Sequence, residues 1–133
     1  MNIRKIYQMI NPELLYAEVK DFVQKQGVNL SESKFETYTL PNDSSNFISR
    51  GTLIFRVQTG PNKTEQEALR AHILGSIKSD VRLMLDINES LFPKEKISAL
   101  QADIDFIFGM YEQKNPQDVS SVANRSDEEK LPG

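Results

Sequence analysis

Hydrophobic residues recur at two spacings along this chain, and the change from one to the other marks out its elements. From Pro12 to about Gln26 the spacing is helical, with Leu15, Val19, Phe22 and Val23 on one stripe. Asn11 suits the N-cap, Pro12 suits the first helical position, and Glu13 complements the positive end of the helix dipole. Lys25 and Gly27 fit the other end in the same way. Ile10 and Leu15 occupy the two positions of a hydrophobic staple. Ile3, Ile6, Tyr7 and Ile10 also recur at helical steps, so a short amphipathic helix is predicted ahead of this one.

Beyond Ser33 the period shortens to two. Lys34 to Leu40 (KFETYTL) reads as a strand, PNDSSN as a turn cluster, and Phe47 to Thr59 as a second strand. In the second strand Leu53, Phe55 and Val57 point one way, and Arg50, Thr52, Ile54 and Arg56 the other.

Residues 65 to 87 admit two readings. As one long helix they would bury Leu69, Ile73, Ile77, Met84 and Ile87, with Thr64 and Glu67 as a capping box. That helix would carry Gly75, Ser76, Ser79 and Asp80 in its interior, all weak helix formers, and would leave a sheet of two strands, marginal in water. As a hairpin turning at GSIKSD, the segment sets Leu69, Ala71 and Ile73 on one face against Val81, Leu83, Leu85 and Ile87. The hairpin is the preferred reading.

A second helix is predicted from Pro93 to about Glu112, with Ile97, Leu100, Ile104, Ile107 and Tyr111 along its seam. Phe106, Phe108 and Met110 lie off that seam and call for cover by the first helix or by a second copy of the chain. Residues 113–133 offer little apolar surface and are expected to be a disordered tail. The expected architecture is an α+β domain over 1–112: an N-terminal helix, a four-stranded antiparallel meander, and a C-terminal helix packed with the first on the Leu53/Phe55/Val57 face. The alternative is a two-stranded hairpin with a long antiparallel helical hairpin.

Composition narrows the chemistry. A chain of 133 residues, 38% hydrophobic and 26% charged, fits one globular domain plus a tail. With no cysteine, disulfides, thiol catalysis and thiolate metal sites drop out, and a reducing, cytoplasmic setting is expected. No apolar run is long enough for a membrane span, and the first residues lack the pattern of a secretory signal. The net charge of −3 speaks against general coating of nucleic acid, although residues 1–63 hold eight Lys/Arg against six Asp/Glu while residues 64–112 hold five against nine.

No catalytic constellation stands out. Lys63-Thr64 after Gly60 imitates a phosphate loop, but Asn62 and Val57 hold the two places where the loop needs glycine. Asp103 and Asp105, two apart on a helix, diverge. Ser31, Ser33, Ser44 and Ser45 lie in loops without a nucleophile-elbow context. His72 has no second histidine with which to hold a metal, so a structural or surface role is expected, and neither metal nor cofactor is. RSDEEKLPG reads as a solubilising end rather than a motif.

If the meander forms, its uncovered face gathers Tyr38, Arg50, Ile54, Arg56, Arg70, His72, Leu74, Arg82 and Met84. Tyr38, Arg50, Arg56, Arg70, His72 and Arg82 are then the candidate ligand-binding residues, because guanidinium groups grasp carboxylate or phosphate in two-pronged fashion. The plainer expectation is cross-strand pairing of these arginines with Glu36 and Asp86. Function is therefore read as non-enzymatic binding of a protein partner or of a second copy, through a sheet edge or the final helix. RNA or another polyanion on the arginine face is the alternative, and a His72-dependent enzyme the remote third.

Overall fold

The computed structural model describes residues 1–113, apart from the side chain of Ser44. The tail expected over residues 113–133 lies outside the described residues except for Gln113, whose N–H donates to the Ile6 carbonyl of the first strand at 2.7 Å. Among the described residues five strands and two helices make an α+β fold: β1 (Asn2–Gln8), α1 (Pro12–Lys25), β2 (Asn29–Leu40), β3 (Asp43–Thr59), β4 (Thr64–Gly75), β5 (Asp80–Ile87), α2 (Lys94–Phe108), and a closing 3₁₀ turn over Gly109–Tyr111. The strands form one sheet in the order β1-β5-β4-β3-β2, and each neighbouring pair is antiparallel.

The hairpin reading of residues 65–87 holds. Leu69 pairs with Ile87, Ala71 with Leu85 and Ile73 with Leu83, so the apolar alternation on both strands faces the same way. The turn spans residues 76–79, where Ser79 N–H donates to the Ser76 carbonyl at 3.0 Å. Gly75 closes β4 where any Cβ would overlap the backbone of Asp80 and Val81.

The first residues correct the expectation. Ile3 to Tyr7 belong to a strand, not a short helix, and the sheet has five strands rather than four. Ile3 and Tyr7 are an even number of positions apart, so both reach the covered face, while Ile6 takes the open one. Met9 then adopts a left-handed backbone (φ 65°) that ends β1, and Asn11 starts α1 by accepting from Glu13 N–H at 2.9 Å. The first helix therefore follows a strand, and carries the chain from the β1 edge over one sheet face to the β2 edge.

Helix α2 ends at Phe108, short of Glu112, and its buried stripe is Ile97, Leu100, Ile104 and Phe108. Ile107 and Tyr111 are exposed, contrary to the expected seam. A step of four from Ile104 follows the 3.6-residue turn more closely than the step of three to Ile107, and it places Phe108 against Tyr7 at 6.0 Å between ring centroids. The strands also outrun their expected limits, since β2 starts at Asn29 and β3 at Asp43, leaving only Pro41 and Asn42 in the turn.

The core lies between one sheet face and both helices. Leu15, Val19 and Val23 of α1 and the α2 stripe meet Leu53, Phe55, Leu69, Ala71, Ile73, Leu83 and Leu85, all essentially without solvent contact. Val57 is half-buried at its margin. Burying a side chain of this size contributes roughly 1.5–3 kcal/mol.

Candidate functional site

With the helices on one face, the other face of the sheet is left uncovered, and strand register alone decides which side chains share it. Four rows cross the strands. Asn2, Asp86, Arg70, Ile54 and Glu32 form the first; Arg4, Met84, His72, Thr52 and Lys34 the second. Ile6, Arg82, Leu74, Arg50 and Glu36 form the third; Gln8 opposite Asp80, and Ile48 opposite Tyr38, lie in the fourth. A bulge at Ala68 keeps the alternation in step beyond Ile54, so that Arg56 faces Glu67 on this same side.

All six candidate ligand-binding residues, Tyr38, Arg50, Arg56, Arg70, His72 and Arg82, therefore have register positions on the open face, but they do not converge. Arg70 grips Glu67 with two bonds, Nη2 to Oε1 at 2.8 Å and Nε to Oε2 at 3.1 Å. That fork holds the Glu67 carboxyl below the usual carboxylate range and raises the guanidinium's own pKa. Arg56 donates to the Ser31 hydroxyl at 2.7 Å and to Glu32 at 3.5 Å. The Tyr38 hydroxyl donates to Glu36 at 2.5 Å, which lowers that carboxyl and raises the phenol; Lys34 and Arg50 lower Glu36 further.

The expected partners of the arginines were Glu36 and Asp86. Both do stand opposite arginines, Glu36 across from Arg50 and Asp86 across from Arg70, yet the close ion pairs go to Glu67 and Glu32 instead. A guanidinium on a long stem reaches along its own strand as easily as across. Arg50 and Arg82 make no ion pair within 4.0 Å among the described residues, and neither does Arg4, which the helical reading of the first ten residues had removed from this face. Alternation did not announce it, because Ile6 is apolar on the open face and Lys5 is charged on the covered one.

His72 is half-buried between Thr52 and Met84 in its row. Among the described residues no group of three His, Cys, Asp or Glu side chains is placed to hold a metal ion, and no helix is long and apolar enough to cross a membrane.

Apolar groups thread between the charges. Leu74, Met84 and Tyr38 are each about two-fifths exposed, and Ile6 and Ile48 are half-buried beside them. Two shallow hollows open along this apolar line: one lined by Arg4, His72, Met84 and Asp86, the other by Ile48, Leu74, Asp80 and Arg82. Elsewhere the most exposed apolar groups are Phe106, 88% exposed, near the end of α2, and Met110, 83% exposed, in the 3₁₀ turn that follows it. No family model matches this chain, and none of the curated proteins matches it in sequence.

Proposed function

We propose that the protein is a non-enzymatic binding protein that works by protein–protein contact and pairs with a second copy of itself through the outer face of α2. The observation that carries this reading is the exposure of Phe106 and Met110. Ser98, Ala102 and Phe106 follow one another at steps of four along α2, and Met110 extends them in the 3₁₀ turn beyond, so small residues stand at one end and large ones at the other. Two such stripes packed antiparallel about a two-fold axis set large against small at both ends. Four large side chains buried in this way contribute roughly 6–12 kcal/mol, against an association cost on the order of 4–15 kcal/mol. A weak, reversible dimer in the micromolar range or above is expected.

Sedimentation velocity across a hundredfold range of concentration tests the reading. A monomer–dimer equilibrium that Phe106→Asp abolishes supports it; a monomer throughout refutes it. Binding of RNA on the open face is the weaker reading. Glu32, Glu36, Glu67, Asp80 and Asp86 interleave with the arginines there, and each would meet a phosphate backbone with like charge.

A further inference from the structure

The open face combines two features. Arg4, Arg50 and Arg82 make no ion pair within 4.0 Å among the described residues, unlike Arg56 and Arg70, and Leu74 and Met84 are partly bare. Across neighbouring strands the third row reads Ile6, Arg82, Leu74, Arg50, alternating apolar and cationic at the roughly 4.8 Å strand spacing before it ends on Glu36 of β2. Arg82 lines one hollow together with Leu74, Ile48 and Asp80, and Arg4 lines the other with Met84 and Asp86.

We infer that this face docks an acidic segment of a partner protein, whose apolar side chains enter the two hollows while its carboxylates engage Arg4, Arg50 and Arg82. The inference rests on the proposed role in protein–protein contact but concerns a different surface and a different partner from the α2 pairing. Charge complementarity selects the occupant. An unpaired guanidinium favours a carboxylate in a two-pronged bond, and the apolar line between the arginines favours a partner that brings hydrophobic groups with its charge. A second copy is a poor occupant, because a two-fold axis through Leu74 would set Arg50 and Arg82 against their own copies. A plain polyanion leaves Leu74 and Met84 uncovered, and its evenly spaced charges must also meet Asp80 and Asp86, which a mixed segment can face with neutral side chains.

Fluorescence anisotropy with the full chain provides the test, using labelled peptides of repeated glutamate–leucine–serine units, their lysine–leucine–serine and glutamate–serine–serine counterparts, and a single-stranded RNA of equal length. The expected result is binding of the glutamate–leucine–serine peptide at least about tenfold tighter than any of the other three. A double variant, Arg50→Glu with Arg82→Glu, is expected to reverse the preference toward the lysine peptide. Both positions are exposed, and an unchanged urea midpoint confirms that the variant is folded. Equal affinity for the two charged peptides, tighter binding of RNA, or no binding of any probe each overturns the inference. Sedimentation of the same double variant separates the two claims: a dimer that persists while peptide selectivity is absent sinks the docking surface alone, and a wild-type monomer that still selects the acidic peptide sinks the α2 pairing alone.

Discussion

Gly51 of β3 lies directly beneath the ring of Tyr16 of α1, so closely that a Cβ at Gly51 would stand 2.5 Å from the Tyr16 Cδ1 atom. The ring also tilts against Phe35 of β2 at 5.0 Å between centroids and is itself largely buried, which limits its retreat. Gly51→Ala is therefore expected to destabilise the fold by about 1–3 kcal/mol through overpacking. The urea midpoint measures this. In a Tyr16→Leu background the same change should cost clearly less, since the obstructing ring is gone; equal cost in both backgrounds would show that the close approach is not the cause.

Asn11 is the side-chain cap of α1, its Oδ1 accepting from Glu13 N–H at 2.9 Å. Asn11→Ala leaves that amide without its partner and is expected to lower stability by about 1 kcal/mol, while Asn11→Asp should retain most of it. Comparing urea midpoints of the two variants with the wild type checks the expectation, and identical midpoints for Ala and Asp would contradict it.

These two contacts show which parts of the fold the sequence announces. Asn11, Pro12 and Gly27 carry their structural meaning in their own chemistry, so α1 is legible without any tertiary information. The hairpin at GSIKSD is legible by elimination, because Gly75 and Ser76 suit a turn better than a helix interior. By contrast, β1 was hidden. Ile3 and Tyr7, four apart, satisfy steps of both kinds, and only pairing with β5, some eighty residues away, decides between them. The close approach at Gly51 is likewise invisible, because it depends on where α1 lands. On the open face the positions were legible from alternation, but the partners were not. Register sets Glu36 and Asp86 opposite arginines, while side-chain reach and the bulge at Ala68 bring Glu67 to Arg70.

The Arg70 fork on Glu67 makes stability depend on acid pH. The folded-state pKa of Glu67 is depressed, so its contribution is fully present above the ordinary glutamate value of about 4.3 and is lost as pH falls through the lower folded value. Both side chains are more than a third exposed, which keeps the contribution small, under roughly 1 kcal/mol. Arg70→Met should therefore cost more at pH 6 than at pH 3. Urea midpoints at the two pH values measure the difference, and a cost independent of pH would assign the effect of the substitution to packing instead.

Tyr7 presents the reverse case, a group whose removal is expected to help. Its side chain has no solvent exposure, it packs on Phe108, and its hydroxyl has no hydrogen-bond partner among the described residues. Burial raises its pKa, and the nearby carboxylates of Glu112 and Asp105 raise it further. Lys5 sits 3.4 Å from Glu112 and 3.5 Å from Asp105, and so compensates those charges rather than the phenol. An unsatisfied buried hydroxyl costs roughly 1–3 kcal/mol, so Tyr7→Phe is expected to leave stability at pH 7 unchanged or to raise it by up to about that amount. The sign of the pH effect follows from the raised folded value. Above the unfolded tyrosine value of about 10, the unfolded chain loses its phenolic proton while the folded chain keeps it, so wild-type stability falls with rising pH and the Phe variant gains relative to it. Urea midpoints at pH 7 and pH 10.5 test both parts. A loss of more than about 1 kcal/mol at pH 7 would mean that the hydroxyl is bonded after all, since removing an engaged hydroxyl costs about that much.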